Sequence, residues 1–367
     1  MPAAATAETR MATAGRMAAG RLKNGVLVEA VTLTNASGVS ARILTYGATL
    51  QSLVAPDADG ALADIVLGHD DVATYEATRG FLGVTVGRYA NRIANGRFML
   101  DGVAYTLPPN DGTHSLHSGE HGFDRALWRI SSVMSGAVAS VALNHVSPDG
   151  EGGFPGEVQA SVTYTLDNTG SLTIAFAATT TRPTILNMTN HALFNLAGDG
   201  SPQGAMMQRL SIPAAAYTPV DRQLIPSGEL RLVEGTLFDF RNGRIVAEGL
   251  RDGRDAQIGI GRGYDHNFVL DKGITSEPLL AARLEDAVSG RCLEVFTTEP
   301  GIQLYTANSF DGSLRGKSGR RYRMGDGIAL EPQKFPDTPN QPAFGSARVD
   351  PGQNYRHTMI YRLSVVR

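Results

Sequence analysis

The strongest constraint on this chain is a period of two. In EVQASVTYTL, Val158, Ala160, Val162 and Tyr164 alternate with other residues, and Leu172, Ile174 and Phe176 do the same in SLTIAFAATT. Successive side chains of a strand point to opposite faces, so such runs read as strands with one buried face. The strand-like SVALNHV leads into EVQASVTYTL through the glycine-rich SPDGEGGFPGE, which fits a long hairpin. LEVFTTEPGIQLYTAN repeats the strand–turn–strand pattern, with Pro300-Gly301 at its turn. The 42 glycines and 18 prolines fall in short punctuating clusters, which implies many turns and many short elements. Helical period rarely lasts beyond a turn or two, and VATYEATRGFLG is its best case.

These features predict an all-β protein, a large antiparallel β-sandwich. Closed barrels and propellers satisfy the same pattern. No repeat of solenoid or propeller length breaks up the 367 residues, so residues 21–367 are expected to form one domain. Residues 1–20, MPAAATAETRMATAGRMAAG, are alanine-rich but interrupted by Glu8, Arg10 and Arg16. They lack the compact apolar core of a secretory signal and read as a flexible leader on a cytoplasmic protein. A formal net charge of -3 gives no footprint for nucleic acid, and no apolar run approaches the length of a membrane span. The single cysteine, Cys292, excludes an intrachain disulfide framework and reads as a buried, inert thiol in the strand-like RCLEVF.

Polar residues set among core-forming ones mark the places where chemistry could reside. NMTNHALFNL threads Asn187, Asn190, His191 and Asn195 through apolar positions, where each must be satisfied or be costly. THSLHSGEH gathers His114, His117 and His121 with Glu120, but the odd offsets would send strand side chains to opposite faces. A metal there would need the loop to wrap around it, and the favoured reading has one histidine in a cleft and the others solvated. Asp265 follows the glycine run GIGRG and is either a turn residue or an acceptor for a hydroxyl-rich ligand. Glu331 ends the apolar run Ile328-Ala329-Leu330, where partial burial would raise a carboxyl toward the range of a general base. Arg88 and Arg92 flank Asn91 in GRYANRI, and either could simply pair with a surface carboxylate.

Eight stretches taken together resemble the galactose mutarotase, or aldose 1-epimerase, family: GRYANRIANGRF, LHSGEHGFD, SPDGEGGFPG, NMTNHALFNL, YTPVD, GYDHN, TTEPGIQLYT and LEPQKFPDTPNQP. They lie in family order over roughly residues 40 to 367, nearly the whole chain after the leader. The resemblance implies a β-sandwich of the galactose mutarotase type, the supersandwich, with an open sugar cleft. It implies no cofactor and no metal, a small-molecule aldose as partner, and a monomer or homodimer. It also implies that His191 is the general acid and Glu331 the general base, with Asn91, Arg92, His117, Asp265 and Gln303 binding the substrate. Three positions depart from the family pattern: Ser118 where glycine is common, Ala192-Leu193 after the histidine, and Pro332 after the glutamate. These departures bear on pocket shape, and none removes a reacting group.

The implied reaction opens a cyclic hemiacetal. A base takes the proton of the anomeric hydroxyl while an acid protonates the ring oxygen, and the aldehyde rotates and recloses on its other face. Asn187, Asn190 and Asn195 are expected to fix local backbone and hold the imidazole. A sibling acting on a sugar phosphate or a pentose, a non-catalytic sugar-binding sandwich and a glycoside hydrolase are the competing readings.

Overall fold

The computed structural model describes residues 11–366. Strands account for 45% and helices for 10%, and the sheets do not close into barrels, which selects the sandwich among the all-β options. Among the described residues the largest sheet has nine strands. Its order begins Arg129–Met134, Ala139–Ser147, Val158–Leu166 and Ser171–Thr180, then takes in the long C-terminal strand Tyr355–Val365 and continues through Arg291–Thr297 and Leu279–Glu285. Every pairing within it is antiparallel. The expected hairpin joins Ala139–Ser147 to Val158–Leu166 with Val146 opposite Gln159. Its predicted inner face, Val158, Ala160, Val162 and Tyr164, is buried, as are Leu172, Ile174 and Phe176 on the neighbouring strand.

A six-stranded sheet carries the residues of most interest, in the order Leu193–Phe194, Ile328–Gln333, Gly301–Tyr305, Asp265–Val269, Ala216–Tyr217 and Arg231–Leu232. The strand–turn–strand segment around Pro300-Gly301 is therefore a crossing and not a hairpin. Arg291–Thr297 lies in the nine-stranded sheet, and Gly301–Tyr305 lies in the six-stranded one. One apolar cluster draws on both sheets, from Ala12 to Leu363. Cys292 is a buried free thiol, as read from its strand. The one predicted helix forms only as Val72–Ala77, capped by the Asp71 side chain accepting from the Thr74 N–H.

The leader boundary needs correction. Residues 1–10 lie outside the described residues, but Thr13–Arg21 is a strand on the edge of a five-stranded sheet, paired with Leu27–Thr34. Its alanines and glycines hid it, because an exposed edge strand needs little apolar alternation when one neighbour supplies the ladder. No helix among the described residues is long and apolar enough to cross a membrane.

Candidate active site

His191 sits at a crossing of three segments. Thr189–Asn190 pairs with Thr85–Val86, and Leu193–Phe194 pairs with Ile328 and Ala329. Between them the His191 N–H donates to the Val84 carbonyl, and the His191 carbonyl accepts from the Gly83 N–H. The surrounding asparagines explain why so polar a stretch can be buried. Asn187 donates to the carbonyls of Ala90 and Lys334 and accepts from the Lys334 N–H. Asn190 donates to the Gly83 carbonyl, and Asn195 donates to that of Asp326 while accepting from Gln208. They fix backbone as expected. They do not hold the imidazole, since His191 Nδ1 is buried with no partner among the described residues.

Glu331 reaches the same point from the strand Ile328–Gln333, and its Oε1 lies 3.6 Å from His191 Nε2. Both side chains are almost fully buried. Burial pushes His191 down to about 4, and its own main chain tempers that shift without reaching hydrogen-bond geometry. Burial, reinforced by the charge of Asp265 and opposed by Arg92, holds Glu331 well above the usual carboxylate range. Both shifts favour the neutral forms, a protonated carboxyl beside a neutral imidazole. In that form the pair shares one titrating proton, besides the one a neutral imidazole keeps on its ring.

His117 closes the third side, its ring 5.3 Å from that of His191 and nearly perpendicular to it. Asn91 and His117 exchange hydrogen bonds: the His117 N–H donates to the Asn91 carbonyl, and the Asn91 N–H donates to His117 Nδ1. A backbone N–H can only donate, so Nδ1 is the bare nitrogen and neutral His117 carries its proton on Nε2. Burial, with the charges of His191 and two arginines adding to it, keeps His117 well below its ordinary value. His117, His191 and Glu331 could offer three ligand atoms within 4.8 Å of one another. The tautomer of His117 argues against a metal there, because a ligating imidazole donates its second N–H to an acceptor and this one faces a donor.

These groups line a cleft of about 600 Å³ together with Asn91, Arg92 and Asp265. Arg92 donates through Nε to Asp111 at 2.7 Å and lies 3.9 Å from Asp265. Burial raises Asp265, while Arg92 and a hydrogen bond from Gln303 pull it back. Gln303 itself does not reach the cleft wall; it donates to Asp265 Oδ1 at 2.6 Å from behind. Six of the seven residues the sequence singled out thus surround one space, and the seventh supports one of them.

Other expectations are corrected. Arg88 is not in the cleft and pairs with no carboxylate among the described residues: it is buried and donates to the carbonyls of Ser147, Pro148, Pro155 and Gly156, cementing the glycine-rich connection of the long hairpin. His114 is buried too, accepting from the Asn95 N–H, so of the three histidines only His121 is solvated. None of the residues at the three family departures, Ser118, Ala192, Leu193 and Pro332, lines the cleft itself. Pro332 falls on its strand beyond the two residues covered by Leu193–Phe194, where a missing N–H breaks no ladder. Phe81, Tyr305 and Arg79 also line the cleft and were not foreseen.

Comparison with known proteins agrees over nearly the whole chain. The profile of the aldose 1-epimerase family matches residues 29–362. The chain is 44% identical over 323 residues to a galactose mutarotase of Rattus norvegicus, covering 88% of this chain and 90% of that protein. It is 38% identical over 336 residues to an aldose 1-epimerase of Escherichia coli (strain K12), covering 90% and 94%. Among solved structures, a galactose 1-epimerase from Lactobacillus acidophilus superposes with a TM-score of 0.84 at 30% identity, covering 97% of this chain and 99% of that one.

Proposed function

The chain belongs to the aldose 1-epimerase family, and within it we propose that His191 and Glu331 move the two protons that open and close the sugar ring. Its activity is that of an isomerase, exchanging the α and β anomers of an aldose. We take galactose and glucose as the preferred aldohexoses, the first in keeping with the names of its relatives.

The observation that carries this reading is the buried acid–base pair at the cleft wall, with His191 Nε2 3.6 Å from Glu331 Oε1. Ring opening requires one proton to leave the anomeric hydroxyl and one to arrive at the ring oxygen. Once the proton of the pair has passed from Glu331 to His191, Glu331, as carboxylate, takes the first and His191, as imidazolium, gives the second. The opened sugar then faces a protonated Glu331 and a neutral His191, which is the arrangement that burial favours. Rotation about the first carbon–carbon bond presents the other face of the aldehyde, and the same two protons return in reverse. Each positioned transfer contributes on the order of 10²–10⁴ in rate. His117 donates from Nε2 to the sugar, and Asp265, Arg92 and Asn91 orient hydroxyl groups, with Gln303 steadying Asp265. Polarimetry of freshly dissolved α-D-galactose tests the reading: a His191→Asn enzyme with near-normal rates would overturn it.

A further inference from the structure

His191 lacks the hydrogen bond that usually fixes a working imidazole. Its Nδ1 has no partner among the described residues, and its Nε2 is too far from Glu331 for one. A proton-transferring ring must be held within roughly 10–20° of its working orientation. Packing has to supply that constraint. Tyr305 approaches at 6.3 Å between ring centroids, and Phe81 is closer, at 5.7 Å with planes 31° apart. Phe81 also packs on the other imidazole, 4.7 Å from His117 at 61°. Among the described residues it is the aromatic ring in contact with both.

The placement of Phe81 is itself held from outside. Its φ of 54° lies in the left-handed region, disfavoured for a bulky side chain, and it stands half-buried on the cleft wall. Strained, partly exposed aromatics persist at functional sites where the surroundings fix them. Here the fixing group is Arg79, whose guanidinium carbon sits 5.0 Å from the Phe81 ring centroid. That guanidinium also donates to Glu120 Oε1 at 2.9 Å, to Asp124 Oδ2 at 3.3 Å and to the Gly119 carbonyl. All three acceptors follow His117 closely in the chain. Arg79 therefore ties the segment bearing Phe81 to the loop bearing His117.

We propose that Phe81 is a positioning residue that seats the rings of His191 and His117 against the cleft, with Arg79 bracing it from behind. The kinetic part of this inference rests on the proton-transfer reading of His191, whereas the seating itself does not.

The test compares Phe81→Ala, Phe81→Leu and Phe81→Tyr, each checked for folding by thermal unfolding. Phe81→Ala is expected to lower kcat for galactose by about 10- to 100-fold while KM moves less than about threefold, as for a misplaced proton-transfer group. Phe81→Tyr restores most of kcat. In parallel, NMR titration of the His191 ring should move upward from about 4 in Phe81→Ala as water reaches it. A kcat within about twofold of the parent in folded Phe81→Ala would overturn the proposal, given the usual size of such effects. So would a loss confined to KM, which would make Phe81 a sugar platform, or an unshifted His191 titration. If Phe81→Ala does not fold, Phe81→Leu carries the same comparisons. Activity surviving in His191→Asn sinks the proton-transfer reading and leaves the titration result standing, so the two failures are separable.

Discussion

His191 Nε2 and Glu331 Oε1 face each other across 3.6 Å in a site where neither side chain has another polar partner among the described residues. Their titrations belong to the pair. His191 is lowered toward about 4 and Glu331 is raised well above its ordinary range, so one proton stays on the pair between those limits. Activity needs that singly protonated state. Acid destroys it by adding a second proton below the lowered histidine value, and alkali destroys it by removing the last one above the raised carboxyl value. The expected profile of kcat/KM is therefore flat as pH rises through 6.5, the ordinary histidine value. An isolated histidine acid would instead lose activity over that interval. Polarimetric rates measured across the range decide between the two shapes.

Removing either proton carrier should be severe. His191→Asn keeps a polar side chain but cannot give up a proton, and Glu331→Gln is nearly isosteric but cannot accept one. Each is expected to lower kcat by about 10² or more, the usual contribution of a positioned proton transfer. The double variant should be hardly slower than either single one, because the two groups act as a unit. Additive losses would mean they work separately.

Gln303 offers a different signature. Its amide holds Asp265 Oδ1 at 2.6 Å, and burial would otherwise drive that carboxyl toward its neutral form. Gln303→Leu removes a charge-assisted bond of about 1.5–3 kcal/mol. KM for galactose should rise by about tenfold or more, because 1.4 kcal/mol corresponds to tenfold, and kcat should change little. The KM defect should deepen as pH falls, since Asp265 without its donor protonates sooner. Initial rates over sugar concentration at two pH values measure both effects.

Sequence legibility followed the range of the interactions. The alternation of Val158 through Tyr164 exposes a buried face directly, because strand geometry repeats every second residue. The site residues were legible as family motifs, yet their arrangement was not. His191 and Glu331 are brought together by a pairing only two residues long, Leu193–Phe194 on Ile328 and Ala329, too short to leave a periodic trace. The three asparagines read as the imidazole's holders because they were its neighbours in sequence, whereas their bonds run to Gly83, Ala90 and Asp326. Phe81 was invisible for a related reason. It lies beyond the end of the helix Val72–Ala77, and only its left-handed backbone turns it onto two histidines.

Ser118 supplies the last prediction, at a position where the family commonly has glycine. Its φ of 66° is the left-handed conformation that glycine adopts without strain. The hydroxyl gives something back: it accepts from the Tyr89 N–H at 2.8 Å and donates to the Tyr89 carbonyl at 3.3 Å, fastening the His117 loop to the segment leading to Asn91. Ser118→Gly loses those bonds and leaves the buried Tyr89 N–H without a partner, at about 1–3 kcal/mol, but relieves roughly 1–2 kcal/mol of backbone strain, so its stability should stay within about 2 kcal/mol of the parent. Ser118→Ala keeps the strain and leaves the buried Tyr89 N–H without a partner, at about 1–3 kcal/mol. Alanine should therefore be the worse replacement, the reverse of the usual order in regular structure. Urea unfolding midpoints of the two variants rank them, and an alanine variant as stable as the glycine one would show that the left-handed backbone at position 118 costs nothing.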